Sequence, residues 1–470
     1  MNENERIQFD EEDIGEVVNR FKRSLVSGRK KYFDVSEFEC IVEQLLEEGD
    51  LKSSEIAVMQ GIQIHPNAVP LHLKYAQVLL NKEKFEDAIK CLSIVERIEP
   101  TNPDVHFIKG NAWLAMDRRT DALKAFGNAI KYAGSEIDNI LYHIGLSFIQ
   151  SGDSPRAIHY FERVLRINPE DEMTLCELGF IYDQIGNFSK SIEYYNRLID
   201  VNPYNYSSWF NLGITYNKAG NHDEAIKAYE FALVANEEFH QALLNIANVF
   251  ANVGKYNEAI EKYKEYLKLV SDDDYVFCCI GECYFNIENY VKSKKYYHKA
   301  IELNANNDTA WFGVGLVMWE ERQYKDSITF INNAIGIDET NSEYWHALAK
   351  VYSDFNHKTD AVKALKKAVK LELDNSEIWL TWVDIYLNFK EIESAVKILK
   401  TAIKKNSDVI LKYRLVGLLL ENKRNEEAFE MLDLAMKQDF IKVNHLFEFY
   451  PKASKNRQLK KRIDEFIKNK

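Results

Sequence analysis

The 470-residue sequence has few of the residues that interrupt regular structure, with only 8 prolines and 19 glycines. This content argues against long disordered or low-complexity segments. The six cysteines follow no regular spacing, which is typical of a reducing compartment rather than of a disulfide framework. The first residues, MNENERIQFDEED, lack the basic and apolar regions of a secretory signal, so a cytoplasmic protein is expected.

Long apolar runs and an excess of positive charge are also missing. The most apolar run, Gly313 to Trp319, is far too short for a membrane span, so no membrane insertion is expected. The formal net charge is −13, whereas nucleic-acid-binding proteins usually carry a basic surface that contacts phosphates. The sequence therefore disfavours nucleic acid as a partner, RNA included. Hydrophobic residues nevertheless make up 46% of the chain, which is enough to build a large core.

The dominant feature of the sequence is a repeat of 34 residues. Twelve repeat units follow one another between residues 35 and 438, with one residue inserted before Asp138 and one fewer in the last loop. A fixed period of this length is typical of proteins built from one repeated supersecondary unit. The units begin at Val35, Val69, Pro103, Asp138, Glu172, Tyr206, His240, Asp274, Asp308, Ser342, Ser376 and Ile410.

Each repeat unit combines very small and very large residues at fixed positions. Position 8 is Gly or Ala in ten of the twelve units, and position 20 is Ala or Ser in all twelve. Aromatic residues recur at positions 4, 11 and 24. Positions 4, 7, 8 and 11 share one face of a first helix, while positions 20, 24 and 27 share one face of a second. We therefore predict a helical hairpin in each unit, in which the small residues let helices approach closely.

The segments between the predicted helices contain turn and capping signals. In several units a glycine suits the left-handed conformation that ends a helix; these are Gly49, Gly152, Gly186, Gly220 and Gly254. In the segment SGDSPRA, Ser154 is predicted to be the N-cap of a second helix, and Pro155 its first residue.

This pattern resembles the tetratricopeptide repeat, whose signature has large, Leu, Gly, Tyr, Ala, aromatic, Ala and Pro residues at these positions. The stretch WFNLGITYNKAGNHDEAIKAYEFAL, residues 209–233, matches the signature almost throughout. The main departure is proline at position 32, which only four units have. The resemblance implies an all-α, right-handed solenoid of stacked helix-turn-helix repeats, with a concave groove lined by the first helix of each unit.

The two ends of the chain differ from the repeats. Residues 1–34 form an acidic segment in which Glu11 to Ser27 is predicted to be a capping helix, and residues 439–470 are predicted to be basic capping helices. Terminal repeats need such helices because one apolar face would otherwise stay exposed. As an alternative, the acidic start or the basic tail is itself a docking element.

The sequence contains no recognisable catalytic or cofactor motif. It has no Gly-rich phosphate loop, no His-Glu-x-x-His and no Cys-x-x-Cys, and neither end is long enough for an independent catalytic domain. The nearest approach to a metal motif is CCIGEC, in which Cys279 and Cys283 are one helical turn apart, with His298 on the second helix of the same unit. A structural zinc site normally needs four ligands, so Cys283 is predicted to be a small core residue. We expect no enzyme activity, no metal and no cofactor.

The resemblance assigns ligand contacts to positions 2, 5, 6, 9, 12 and 13 of each first helix. Asn211 and Asn245 occupy position 6 of consecutive units, and Asn111 and Asn248 occupy position 9. They resemble a short piece of the asparagine ladder with which some members of the family hold a peptide backbone, since an amide offers both a donor and an acceptor. The alternative is that they are ordinary surface residues of an asparagine-rich sequence.

Aromatic and acidic residues at similar positions extend the predicted site. The aromatic residues at position 5 are predicted to form apolar pockets for partner side chains; they are Phe107, Tyr142, Phe210 and Phe312. Glu177 and Glu282 belong to a recurring set of acidic residues, which favours a neutral or basic extended segment as the partner. The family's clamp for heat-shock chaperone tails is excluded, because no three consecutive units supply its Lys, Asn and Arg set.

The sequence therefore predicts a non-catalytic scaffold or adaptor that binds an extended segment of another protein or peptide in its groove. The alternative is a structural subunit that assembles with itself, for example as a homodimer. An enzyme, or the targeting arm of one, is disfavoured by the missing catalytic length.

Overall fold

The computed structural model describes residues 11–27 and 31–468. Within these ranges all regular structure is helical, with 27 α-helices and three short 3-10 helices. The predicted all-α solenoid of stacked helix pairs is therefore confirmed. The first ten residues of the acidic start lie outside the described residues. The chain forms two compact bodies, Met1–Asn236 and Glu237–Lys470.

The first body consists of one leading helix and six helix pairs. The leading helix is α1, Glu11–Ser27. The pairs are α2 (Val35–Glu47) with α3 (Leu51–Ile64), α4 (Val69–Asn81) with α5 (Phe85–Ile98), α6 (Pro103–Ala115) with α7 (Arg119–Tyr132), α8 (Ile137–Gln150) with α9 (Ser154–Ile167), α10 (Glu172–Gln184) with α11 (Phe188–Val201), and α12 (Tyr206–Lys218) with α13 (His222–Ala235).

The second body consists of six further pairs and two closing helices. The pairs are α14 (Gln241–Asn252) with α15 (Tyr256–Leu269), α16 (Asp274–Asn286) with α17 (Tyr290–Leu303), α18 (Asp308–Glu320) with α19 (Tyr324–Ile337), α20 (Ser342–Asp354) with α21 (Lys358–Leu371), α22 (Ser376–Asn388) with α23 (Ile392–Lys405), and α24 (Ile410–Glu421) with α25 (Asn425–Gln438). The closing helices are α26 (Asn444–Phe449) and α27 (Arg457–Lys468).

Most first helices begin at an aspartate or asparagine N-cap, whose side chain accepts a hydrogen bond from the first turn. These caps are Asp34, Asn102, Asp171, Asn205, Asp273, Asn307, Asn341 and Asn375. The prediction for α9 was wrong by one residue. Its cap is Asp153 rather than Ser154, because the Asp153 Oδ1 accepts from the Arg156 N–H at 3.2 Å and Ser154 is already helical.

The turn inside each helix pair contains one residue in the left-handed region. The five glycines predicted for this role have φ between 75° and 80°. In the other seven pairs a residue with a side chain takes the same place, with φ between 55° and 62°: Glu83, Asp117, Glu288, Arg322, Asn356, Lys390 and Lys423. The repeat geometry therefore imposes this conformation whether or not glycine is present.

Five glycines at position 8 each face an aromatic ring of the second helix of their pair. A Cβ built on Gly145 would lie 2.6 Å from the Phe161 ring, and a Cβ on Gly213 would lie 2.6 Å from the Tyr229 ring. Both distances are well inside van der Waals contact, so the two helices approach closely only where the side chain is absent. The predicted role of the small positions is confirmed.

Helices outside the pairs cover the apolar surface at each end. In the first body α1 packs against α2, and the Phe21 ring lies 5.9 Å from the Phe33 ring. In the second body α26 packs on α24, and α27 is held by an ion pair of 2.6 Å between Arg462 and Asp433. Both contacts bury apolar side chains that the outer pairs would otherwise leave exposed.

Candidate functional site

Within the first body the first helices of most neighbouring pairs contact one another, and we call the surface that they present the first-helix face. Helix α4 contacts α6, α6 contacts α8, and α10 contacts α12. This arrangement places positions 5, 6, 9, 12 and 13 of successive pairs along the same surface. The predicted site residues of the first body that lie on these helices are Phe107, Asn111, Tyr142, Glu177, Phe210 and Asn211.

A cleft of about 630 Å³ opens at the C-terminal ends of α4, α6 and α8. Side-chain amides line much of it, and we call it the amide cleft; they are Gln77, Asn81, Asn111 and Gln150. The rest of the lining consists of apolar side chains such as Leu80 and Leu114, two serines, and the charged residues Asp117 and Arg119. The volume and the combination of apolar surface with a few polar groups are typical of ligand-binding clefts.

The carbonyl oxygen of the Asn111 side chain is the most unusual atom in the amide cleft. It is buried, and no donor in the described part of the chain reaches it. A buried acceptor without a donor costs about 1–3 kcal/mol. The hydrogen-bonding capacity of the Asn111 amide oxygen is therefore unused among the described residues.

The predicted aromatic residues of the first-helix face pack along one side and leave the other side accessible. The half-buried Phe107 ring lies 6.1 Å from the Phe126 ring and 6.1 Å from the His143 ring. The Tyr142 ring, also half-buried, lies 5.6 Å from the Phe161 ring. Packing against the second helices holds both rings in place.

Glu177 adds a negative charge next to Tyr142. Its side chain is half-buried, and desolvation raises the pKa of its carboxyl. Burial also raises the pKa of the Tyr142 hydroxyl, and the charge of Glu177 adds to this effect. Among the described residues, no lysine, arginine or histidine forms an ion pair with Glu177. The carboxylate is partly desolvated without receiving a compensating cation.

The predicted asparagine ladder is divided between the two bodies. Asn211 is half-buried on α12 of the first body, where Phe210 packs 5.6 Å from the Tyr229 ring. Asn245 and Asn248 belong to α14 of the second body. The Asn248 Oδ1 accepts a hydrogen bond of 2.6 Å from the Tyr263 hydroxyl, so this atom already has a structural partner.

The remaining predicted residues of the second body have contrasting environments. Glu282 is exposed on α16. Phe312 is only 7% exposed, and its ring packs 4.6 Å from the Tyr344 ring, so it offers a partner very little surface. Phe312 therefore belongs to the packing between repeats, because Tyr344 of the neighbouring pair places another ring opposite it.

The cysteine-rich segment of α16 belongs to the core. Cys283 is 2% exposed, as predicted, and burial raises the pKa of its thiol to about 12. Among the described residues, no group of three or more His, Cys, Asp or Glu side chains is placed to hold a metal ion. No helix in the described ranges is long and apolar enough to cross a membrane.

Sequence reasoning missed the glutamines of the amide cleft. Gln77 occupies position 9 of its unit, as Asn111 does in the next, and Gln150 occupies position 13. The signal was present in the sequence, because glutamine carries the same amide group on a side chain one methylene longer. Following all amides, rather than asparagine alone, identifies a cluster within the first body.

Helix pairs stacked in register, with small residues against aromatic rings, define an α-solenoid of helical hairpins. Tetratricopeptide repeat family models match residues 114–172, 174–205 and 206–239. The chain is a tetratricopeptide repeat protein. Residues 240–446 are similar to the family described as Cilia and flagella-associated protein 70 C-terminal domain.

Individual relatives are distant. The general transcriptional corepressor ssn6 of Schizosaccharomyces pombe is 26% identical over 117 residues, which cover 25% of this chain and 11% of that protein. A tetratricopeptide repeat protein from Parabacteroides merdae is 20% identical, with a TM-score of 0.43, covering 56% of this chain and 98% of its own. A chain of the APC/C hetero-tetramer Cut9-Hcn1 is 12% identical, with a TM-score of 0.39, covering 90% and 93%.

The family membership gives the chain the fold of a protein-interaction scaffold. Tetratricopeptide repeat folds bind proteins or peptides and are generally non-catalytic. Because each pair presents similar positions on one surface, the specificity of such a fold depends on which side chains occupy those positions.

Proposed function

We propose that this chain is a non-catalytic scaffold or adaptor that binds an extended segment of a partner protein on the first-helix face of its first body. The observation that carries the proposal is the buried Asn111 Oδ1, which lacks a donor in the described part of the chain. An extended backbone has free N–H and C=O groups. A backbone N–H of the partner can donate a hydrogen bond to this oxygen whatever the partner's sequence is. The neighbouring amides of Gln77 and Gln150 extend the same chemistry along the cleft.

The preferred segment is neutral or basic. Glu177 is half-buried, its pKa is raised by desolvation, and it has no ion-pair partner among the described residues. A lysine or arginine of the partner would compensate the carboxylate charge, whereas a partner carboxylate would add repulsion in the same desolvated place. The Tyr142 ring beside it offers apolar contact to the stem of such a side chain.

The test uses displayed random peptides of about 12 residues, since an extended chain advances about 3.3 Å per residue and must span several helices. Selected peptides are then measured by fluorescence anisotropy against the wild-type chain and Asn111→Ala. Asn128→Ala is the matched control, because Asn128 is a half-buried asparagine on the second helix of the same pair. We expect Asn111→Ala to weaken binding about tenfold or more, the loss of a buried hydrogen bond.

Two results would contradict the proposal. Equal affinity of the two variants for the selected peptides would show that the amide cleft is not the binding surface. Selection of mainly acidic peptides would contradict the assigned role of Glu177. Either result is interpreted only when the variants have the same helical circular dichroism and the same unfolding midpoint as the wild type.

Self-assembly is the alternative function, and the same preparations test it. A chain that acts as a monomeric adaptor has a mass of 54.8 kDa at every concentration. Light scattering across a wide concentration range shows a mass that rises towards twice this value if the chain forms a homodimer.

We also propose that the protein is cytoplasmic, with cilia as the first compartment to inspect. The similarity of residues 240–446 to a domain of a cilia and flagella-associated protein supports this choice. Immunofluorescence with an antibody against the chain, compared between the cilium and the cell body, tests it. Staining confined to a membrane-enclosed secretory compartment would contradict the proposal.

A further inference from the structure

A second cleft, in the second body, is bordered mainly by positive charge. It has a volume of about 570 Å³ and lies where α21 meets α20, with Asn332 of α19 at its edge. Its apolar lining comes from α20, through Trp345, Leu348 and Tyr352. Four lysines of α21 border it, and we call it the lysine cleft; they are Lys363, Lys366, Lys367 and Lys370.

The lysines of this cleft are largely uncompensated. Lys363 is 71% exposed and pairs with Asp360 at 3.0 Å, and Asp360 is the one carboxylate among the described lining residues. Lys366, Lys367 and Lys370 form no ion pair in the described part of the chain. The Lys367 Nζ lies 5.9 Å from the centre of the Trp345 ring, which places a positive charge beside the apolar lining.

Helix stabilisation alone does not account for these charges. Cations stabilise the last turn of a helix through its macrodipole, and this explains Lys370. The effect falls off within one turn, so Lys363 and Lys366 gain little from it. Helix α21 contains five lysines against one aspartate, although the whole chain has a net charge of −13. The positive charge is concentrated where an apolar cleft is open.

We propose that the lysine cleft binds an acidic segment of a partner protein that carries one aromatic or aliphatic side chain. The carboxylates of that segment pair with Lys366 and Lys370, and the apolar side chain lies against Trp345 and Tyr352. A cleft of this volume admits a single large side chain and its neighbours. The apolar lining of the cleft matches an aromatic or aliphatic peptide side chain, whereas a sugar-phosphate backbone would leave it unfilled, and this favours an acidic peptide over a nucleic acid.

The probe is a fluorescein-labelled synthetic peptide of about 12 residues, mostly glutamate with one central phenylalanine, titrated into the full chain at low salt. The cleft variant is Lys366→Glu with Lys370→Glu. The control variant is Lys397→Glu with Lys404→Glu, which makes the same charge change at two exposed lysines of α23. Replacing glutamate by glutamine, or phenylalanine by alanine, in the peptide tests the two parts of the recognition separately.

We expect the cleft variant to lose at least about tenfold in affinity and the control variant less than about threefold. The reason is that a charge in direct contact with the peptide contributes more to affinity than a distant charge elsewhere on the chain. Each peptide replacement should also weaken binding about tenfold. Equal losses in the two variants, or unchanged binding of the glutamine peptide, would overturn the proposal. Tighter binding of phosphatidylserine vesicles or of a single-stranded oligonucleotide, with the same dependence on Lys366 and Lys370, would also overturn it.

The variants leave the apolar lining intact, so the fold is expected to persist. Unchanged helical circular dichroism establishes this for both double variants. The outcome is independent of the amide cleft, because Asn111 belongs to the first body and the lysine cleft belongs to the second.

Discussion

Gly179 on α10 receives the edge of the Tyr195 ring from α11: a Cβ at position 179 would lie 2.8 Å from both Cε1 and Cζ. The ring is buried, and burial raises the pKa of its hydroxyl strongly. At this position only the Tyr195 ring therefore lies between the backbones of α10 and α11. The same relationship connects Gly145 to Phe161 and Gly213 to Tyr229.

Gly179→Ala is expected to lower the free energy of unfolding by about 1–3 kcal/mol, because the added methyl group forces the ring or the helix to move. Chemical denaturation followed by circular dichroism measures the change. Gly127→Ala is the control, since a Cβ at this position on α7 meets nothing within 4 Å. The control should gain up to about 1 kcal/mol, the difference in helix propensity. A stability gain in both variants would contradict the packing role of Gly179.

The left-handed turn residues predict opposite effects for two substitutions. Lys390 has φ of 59°, a conformation that costs a residue with a Cβ about 1–2 kcal/mol, so Lys390→Gly should stabilise the chain by up to about 1 kcal/mol. Gly186 has φ of 75°, so Gly186→Ala should destabilise it by a similar amount. Thermal unfolding of the two variants checks both signs. A loss from Lys390→Gly would show that the lysine side chain makes a stabilising contact.

His346 makes stability depend on pH. It is 8% exposed, its Nε2 lies 2.8 Å from the Thr381 Oγ1, and burial, with help from Lys350, lowers its pKa from 6.5 to about 4. Between these values the unfolded state binds a proton that the folded state does not, so stability falls as the pH drops from 6.5 to 4. The full loss is about 3 kcal/mol at about 1.4 kcal/mol per pKa unit.

The measurement is the free energy of unfolding at pH 7 and at pH 4.5, in the wild type and in His346→Gln. Glutamine keeps a polar group near Thr381 and removes the titration, so the variant should lose less stability on acidification. Equal losses in the two proteins would show that another group causes the pH dependence.

Glu177→Gln is expected to raise the stability of the chain at pH 7 while it weakens peptide binding. Desolvation raises the pKa of Glu177 in the folded state, so its contribution to stability is present at acidic pH and is lost as the pH rises through that pKa. Glutamine removes this cost, so the variant should be slightly more stable at pH 7 and show no gain at pH 4. It should bind lysine-containing peptides more weakly. Glu282→Gln, at an exposed site of the other body, is the control.

The repeat register was predictable because it depends on residues that must fit one another in every pair. Gly213 and Tyr229 fix the distance between two helices, and their spacing in the sequence shows this directly. The cap of α9 was misassigned because Asp153 and Ser154 are both good caps, and only the backbone conformation decides between them.

The site was less predictable, since position along a helix does not give the environment of a side chain. Asn111 and Asn248 both occupy position 9, but the Tyr263 hydroxyl satisfies Asn248 while nothing in the described ranges satisfies the Asn111 oxygen. Phe107 and Phe312 share position 5, but Tyr344 covers only the latter. These differences depend on the side chains that surround each residue in the folded chain, including those of neighbouring repeats. The sequence of a single repeat unit does not show these surroundings. The lysine cleft went unpredicted because its four lysines belong to α21, a second helix, whereas only first-helix positions were considered for the site.

The inserted residue before Asp138 shows where this chain tolerates a change of length. The extra residue is taken up between α7 and α8 by a 3-10 helix, Gly134–Glu136, in which Gly134 has φ of 59°. Inside a helix, one added residue would rotate every later side chain by about 100° and turn the buried face outwards. The chain can therefore be lengthened at the joint between two pairs without disturbing either proposed binding surface, and tags or reporter domains are best inserted there.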